Sequence, residues 1–360
     1  MDSFLDRFDV LRQRKSPVVL ATVVGIEGGS SKRLGARMWI TRDGETLGSL
    51  TVGGCVDGRA REEGHYVLEE GASRRIKIDL GEDGLDFGMS CAGTVDVFIQ
   101  PVDLSVPGEP LVQALDRVRG AIAGDRPAVF ETPLDDETEP SAILPDDAPG
   151  DPRVRALLDE VDGGCAYVPG DGERPDRLLQ SFVPPRLLVV VGAAPIAEPL
   201  VRLGKLLGFR VVMIDGKSER LASSRFGDAD ELLYGIPSEI CSRLKLDGRA
   251  AVVLTAHDYR YEVPVLKEVL RHDSAYVGFV ASRRRGGAVL EFLASTGVDE
   301  AALKRVHVPV GLDIGAMSPA EIAVSILAEI LAERAGATCL PLVDVPDLED
   351  VAGDLLSHSG

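Results

Sequence analysis

The chain has 360 residues, 45% hydrophobic and 27% charged, which excludes a mostly disordered or fibrous protein and leaves room for two cores. The formal net charge is −19, and a surface this acidic repels phosphate backbones and anionic bilayers, so neither nucleic acid nor membrane is expected as a main partner. Five cysteines, with no Cys-x-x-C pair, point to free thiols in a reducing cytoplasm rather than a disulfide framework or a zinc knuckle.

Met1–Arg7 has no basic leader ahead of an apolar core, so no signal peptide is expected. Residues 4–14 read as a short amphipathic helix. Val18–Val24 and Ala36–Ile40 are strand-forming runs, and Arg42-Asp43-Gly44-Glu45 supplies the positive φ of a hairpin turn into a return strand, Leu47–Val52. After Gly53-Gly54-Cys55 a helical stretch runs to about Glu70. Arg75–Leu80 and Val95–Val102 read as strands. The Asp-, Glu- and Pro-rich stretch from Glu131 to Pro152 reads as a solvated loop. Tyr167–Phe182 is irregular with some strand character, and Val183-Pro184-Pro185 is a stiff break.

Beyond that break the pattern alternates. Strands are expected at Leu187–Val191, Arg210–Ile214, Glu231–Tyr234, Ala250–Leu254, Ala275–Ala281 and Val306–Val310, with helices between them. Leu187–Ala197, the longest apolar run, contains a proline and is too short to span a bilayer. Apolar strands separated by helices indicate a parallel, doubly wound sheet. Ser318-Pro319-Ala320-Glu321 has the form of a capping box opening a helix, with Ile322, Ile326, Leu327, Ile330 and Leu331 as its buried stripe. The fold class is therefore α/β: a small N-terminal α+β domain (1–183, with an acidic loop at 131–152), a Rossmann-like doubly wound parallel sheet (184–336) and a polar tail (337–360).

Four constellations carry chemistry. Gly192-Ala193-Ala194-Pro195 follows the first strand of the second domain, with Asp215 at the end of the next. In a dinucleotide fold such a turn admits a pyrophosphate at a helix N-terminus, and the acid takes the ribose hydroxyls. Ala194 puts a methyl where close approach is wanted, so both a nucleotide site and a Rossmann shape without one stay open. His257, Ser282, Arg283 and Arg284 also follow predicted strands, where open α/β sheets bind ligands, and the arginine run suits an anion. His257 serves as a proton shuttle, a ligand or a structural residue. Gly53-Gly54-Cys55 places a cysteine at a helix start, where a thiolate is favoured. Gly88-Met89-Ser90-Cys91-Ala92-Gly93 places a second in a small-residue loop. Cys55 and Cys91 are either reactive, soft-metal ligands, or small buried hydrophobes. Cys165, Cys241 and Cys339 lack such context and read as structural. Last, Gly28-Gly29-Ser30-Ser31-Lys32-Arg33 with Arg37 offers donors and positive charge to a phosphate or pterin-like anion, or is a flexible loop.

In this order and spacing the segments resemble the xanthine dehydrogenase accessory protein family, the XdhC/CoxI family. The resemblance rests on Gly28–Ser31 with Gly35-Ala36-Arg37, Gly48–Asp57, Gly88–Gly93, the Gly192 turn, Thr255–Asp258, Tyr276–Arg285 and Val308–Ala316 continuing through Ser318-Pro319 to Ile326. It implies a protein that binds molybdenum cofactor, protects it while its terminal sulfur is installed, and delivers it to an apo molybdenum hydroxylase such as xanthine dehydrogenase. A cysteine desulfurase is an implied second partner. Cys55 and Cys91 fall on the family's cysteine positions, which makes them the implied metal ligands. The chain departs from the family at Cys91-Ala92-Gly93, commonly Cys-Gly-Gly, and at Gly192-Ala193-Ala194-Pro195, often Gly-Ala-Gly-His.

The resemblance favours a cofactor chaperone over a turnover enzyme. The alternative is an NAD(P)-dependent oxidoreductase, with Asp215 on a ribose and His257 or Tyr259 as proton donor. A regulatory subunit sensing another nucleotide through the same crevice is the third reading. Self-association into a homodimer or larger homo-oligomer is expected. The cofactor set is Gly53, Gly54, Cys55, Cys91, Arg37, Gly192, Ala194, Asp215, His257, Ser282, Arg283 and Arg284, gathered in a crevice that both domains share.

Overall fold

The computed structural model describes residues 4–27, 34–51, 54, 56–79, 93–147, 150–221, 224–256, 258–274 and 276–345. Contacts divide the chain between Pro184 and Pro185 into two compact units.

The N-terminal unit contains helices α1 (Phe4–Arg12), α2 (Asp57–Glu70), α3 (Pro110–Ala123) and α4 (Pro152–Asp159). Its strands are β1 (Pro17–Glu27), β2 (Arg37–Thr41), β3 (Thr46–Gly48), β4 (Arg74–Asp79), β5 (Thr94–Asp103), β6 (Ala128–Pro133), β7 (Ser141–Ile143), β8 (Cys165–Val168) and β9 (Arg177–Phe182). They form two antiparallel sheets, ordered β3-β2-β1-β5-β4 and β7-β6-β9-β8. The two-residue period of a strand puts Leu20, Trp39 and Val102 on one face of the first sheet, where they meet Ala128 and Phe130 of the second. The opposite face of the first sheet packs on α2 through Val19, Ile40 and Val97, and the second sheet carries α4 on Val129 and Leu179.

One expectation is corrected here. The acidic stretch Glu131–Pro152 is not a solvated loop throughout: β6 runs into it, β7 lies within it, and α4 begins at its end. Three of its acids are engaged, Glu131 with Arg177 at 2.8 Å, Asp147 with Arg117 at 2.6 Å, and Asp151 as the N-cap of α4. The first two partners are distant in sequence, so local periodicity does not reveal them. Helix α3 and the first half of β6 lie where the sequence reading assigns no element.

The C-terminal unit contains β10 (Leu187–Val191), β11 (Arg210–Asp215), β12 (Glu231–Tyr234), β13 (Ala250–Leu254), β14 (Tyr276–Phe279) and β15 (Val306–His307). All pair in parallel, in the order β12-β11-β10-β13-β14-β15. This is the dinucleotide-fold order, which reverses between β10 and β13 and opens a crevice at their carboxyl ends. The inner strands β10, β13 and β14 are apolar on both faces because helices cover both, whereas the edge strand β12 is partly exposed. Helices α5 (Ala197–Leu206), α6 (Ser218–Leu221), α7 (Pro237–Cys241), α8 (Tyr259–Val269), α9 (Arg283–Ser295), α10 (Glu300–Leu303) and α11 (Pro319–Ala335) follow in chain order. Val189, Val212 and Val252 face the side of α8 and α9, while Leu188, Val190 and Val253 face that of α5 and α11.

The expected capping box at Ser318 and Glu321 is present. The buried face of α11 is rotated from the expected stripe: Ala323, Ser325, Ile326, Leu327 and Ile330 are buried, whereas Ile322 and Leu331 are half-buried. Ser325 causes the shift, because its hydroxyl donates to the Leu312 carbonyl at 2.5 Å and ties the Gly311–Met317 loop to that face. Ser318→Ala should lower the unfolding free energy of this unit by about 1 kcal/mol, the usual worth of an N-cap, as a lower urea midpoint followed by circular dichroism.

Candidate functional site

The site is built from the ends of β10, β11 and β13. Gly192 has φ of 104°, and a Cβ there would lie 2.6 Å from the Ala256 nitrogen. Only glycine permits this approach of two strand ends. Thr255, fully buried, donates its hydroxyl to the Val191 carbonyl at 3.2 Å and to the Gly192 carbonyl. Asp215, buried at the end of β11, accepts from the Ala193 N–H at 2.7 Å and the Lys217 N–H at 2.8 Å.

These strand ends floor a cavity of about 560 Å³, lined among others by Gly192, Ala194, Pro195, Asp215, Arg220 and Tyr261. Its cations are Lys217, Arg220 and Arg225. Arg225 is committed to Glu198 at 2.9 Å, and Arg220 stands 3.8 Å from Asp215. Lys217 forms no salt bridge among the described residues. Asp258 caps α8, and the Arg260 guanidinium that chelates it, helped by the Arg260 N–H, holds its carboxyl down at about 2. Lys217 and Arg220 are the cations here that could meet an anion, and the same lining holds the carboxylates of Asp215, Glu219 and Asp258.

The predicted residues separate. Gly192, Ala194 and Asp215 line this cavity, but Asp215 faces the turn and its backbone donors. The arginine run splits. Ser282 caps α9 by accepting from the Arg285 N–H, and Ser282, Arg283 and Arg284 are exposed and do not line the cavity. Arg285 turns inward to the buried Glu262, with an Nη2–Oε1 distance of 2.6 Å, and lies over Tyr259 and Phe279. The run is thus one structural arginine and two solvated ones, since only every third or fourth position of a helix faces the core.

In the N-terminal unit Arg37 is not offered to an anion from solvent. It lies in β2, 7% exposed, with its guanidinium over Phe4, Phe130 and Phe182. Gly54 adopts φ of 66° in the turn that leads to α2, and the Asp57 carboxylate closes that turn by accepting from the Leu50 N–H at 2.9 Å. Gly53, Cys55, Cys91 and His257 lie outside the described residues, as does the Gly28–Arg33 loop. No group of three or more His, Cys, Asp or Glu side chains suited to a metal occurs among the described residues. No helix among them is long and apolar enough to cross a membrane. The sequence reading missed Lys217 and Arg220. Their signal was their position just after the acid that ends β11.

Strand order, the tight turn and the cavity beyond it define a Rossmann-domain protein joined to an antiparallel N-terminal unit. The family described as the XdhC Rossmann domain matches residues 188–330, and the one described as the XdhC and CoxI family matches residues 11–79. The chain belongs to the XdhC and CoxI family. It is 25% identical over 339 residues to a protein of Bacillus subtilis (strain 168) described as a probable xanthine dehydrogenase subunit, covering 93% of this chain and 98% of that one. It is 24% identical over 327 residues to the molybdenum cofactor insertion chaperone PaoD of Escherichia coli (strain K12), covering 90% and 86%. A crystal structure described as a xanthine dehydrogenase from Bacillus halodurans superposes with a TM-score of 0.75 at 25% identity, covering 95% of this chain and 98% of that one.

The chelated Asp258 gives a test of the cavity rim. Its contribution to stability is full above the ordinary value of 3.8 and fades as pH falls towards 2. Arg260→Ala should raise the Asp258 titration towards 3.8 in a carboxyl-carbon NMR experiment, leaving the other strand-end carboxylates in place.

Proposed function

We propose that this chain binds molybdenum cofactor and delivers it to a molybdenum hydroxylase such as xanthine dehydrogenase. The observation that carries the reading is the cavity at the β10–β13 reversal, where Lys217 and Arg220 stand beside the Gly192 turn. That arrangement suits the phosphate of a pterin-bound cargo. The names of the Bacillus subtilis and Escherichia coli relatives support the same class of role. In this reading Gly192 and Ala194 shape the floor, and Asp215 holds the turn. Arg283 and Arg284 present positive charge outside the cavity, to cargo or partner. Cys55 and Cys91, with Gly53, Gly54 and His257, supply the soft and titratable groups for the metal end of the cargo. Sulfur installation falls to a cysteine desulfurase acting as partner, and the acceptor is the apo-hydroxylase.

A nucleotide such as NAD(P) is the competing ligand of the same cavity. Against it, Asp215 already accepts from two backbone N–H groups, which leaves fewer of its lone pairs for a ribose. Ala194 adds a methyl and Pro195 removes a donor where a pyrophosphate would lie.

The test is the ligand content of the chain purified from cells that make the cofactor. Near-stoichiometric molybdenum and pterin are expected. Lys217→Glu should reduce both about tenfold, the factor that ~1.4 kcal/mol represents, and Cys55→Ala should reduce the molybdenum. Micromolar NADH affinity with no pterin would overturn the reading.

A further inference from the structure

Helices α8 and α9 cover one face of the parallel sheet, and their own outer sides are not polar throughout. Tyr259, Val263 and Pro264 of α8 and Ala288, Val289 and Phe292 of α9 line a cavity of about 590 Å³ between them. Tyr259 is 54% exposed and Phe292 52%, so two aromatic side chains stand half in water at its walls. A helix puts residues four apart on one stripe, and Arg284, Ala288 and Phe292 form such a stripe, all exposed. One wall is held from beneath. The Glu262 carboxylate, buried under α8, accepts from Arg285 Nη2 at 2.6 Å, and the Arg285 guanidinium carbon lies 4.9 Å from the Tyr259 centroid. Pro264, inside α8, adds a rigid ring to the same wall.

The rim of this groove is basic in a chain whose net charge is −19. Arg260 borders it, Lys267 lies one turn beyond Val263, and Arg284 heads the α9 stripe. Lys267 and Arg284 form no salt bridge among the described residues. Of the acids on these helices, Asp258 is held by Arg260 at 2.7 Å and Glu268 by Arg271 at 3.0 Å, while Glu291 stands beside Phe292.

The same unit carries the complement. Beyond α11 every residue from Gly336 to Val345 is exposed. Leu342 is 90% exposed and Val343 89%, in a single 3-10 turn that also holds Asp344. Aliphatic side chains left this far in water mark a surface that another surface covers. In sequence Asp347, Glu349 and Asp350 follow, outside the described residues. Apolar side chains interleaved with acids match an apolar groove with a basic rim. Helix α11 packs with α5 on the face of the sheet opposite α8 and α9. The segment therefore follows a helix on the far side from its own groove, with its apolar side chains in solvent.

We propose that the Leu340–Val345 segment of one copy docks in the α8–α9 groove of a second copy of this chain. Leu342 and Val343 enter beside Tyr259 and Phe292, and Asp344 with the acids after it meets Arg260, Lys267 and Arg284. The exchange is reciprocal about a two-fold axis, so each copy gives one segment and receives one, and the contact is made twice.

The experiment is light scattering of the full chain across a wide concentration range, with circular dichroism as the check on folding. The wild type should be a dimer at micromolar concentration. Phe292→Asp in the groove and Leu342→Asp in the segment should each raise the dimer dissociation constant about tenfold or more. Arg284→Glu should raise it about threefold, the worth of an exposed charge pair. Ala288→Arg, at another exposed helix position, repeats the groove test should Phe292→Asp disturb the fold. Phe292→Asp mixed with Leu342→Asp should associate more tightly than either alone, since the intact segment of the first meets the intact groove of the second. A wild type that stays monomeric overturns the proposal. So does a dimer that the groove and segment variants leave intact, or a mixture no tighter than its components.

Discussion

The C-terminal unit depends on one close approach. The end of β10 meets the end of β13 with no side chain between them, since a Cβ on Gly192 would sit 2.6 Å from the Ala256 nitrogen. Thr255 fastens that contact through the Val191 and Gly192 carbonyls, and Asp215 extends it to β11 through the Ala193 N–H. Three strand ends are thereby held in one arrangement, and the cavity beyond them is what the arrangement leaves open. The acid that another Rossmann domain would turn to a ribose is here a brace for the turn. The positive charge that reaches the cavity comes instead from the residues just after it, Lys217 and Arg220.

Much of the C-terminal unit was legible because its signals are local. A buried parallel strand is a continuous apolar run, as in β10, β13 and β14, and all six strands fall where the sequence places one, differing only at their ends. The capping box at Ser318 is a four-residue pattern with one meaning. Side-chain commitments were not legible, because they are tertiary. Nothing in Arg283-Arg284-Arg285 says which arginine turns inward. The choice follows from Glu262, buried on α8 and able to hold only the third.

The N-terminal unit was harder to read for the same reason carried further. Its strands are short, and β7 and β8 exist only through pairing with β6 and β9. Arg37 looks like a cation open to an anion in sequence, and the aromatic walls that bury it come from residues 4, 130 and 182. Cys165 shows no local motif at all, and its context is created by the register that sets it beside Gln180. The two cysteines singled out by motif, Cys55 and Cys91, and the histidine at 257 lie outside the described residues. The soft end of the proposed cargo site therefore rests on the sequence and the family, and its anionic end on the cavity.

The account's central claim is hand-over of a bound cofactor, and transfer tests it most directly. Chain loaded with molybdenum cofactor is mixed with a purified apo molybdenum hydroxylase, in the presence of excess apo-protein that traps free cofactor. Hydroxylase activity should rise with the amount of loaded chain while molybdenum leaves the chain in step. If the hydroxylase gains no activity, or gains the same from free cofactor with the trap present, the claim is contradicted.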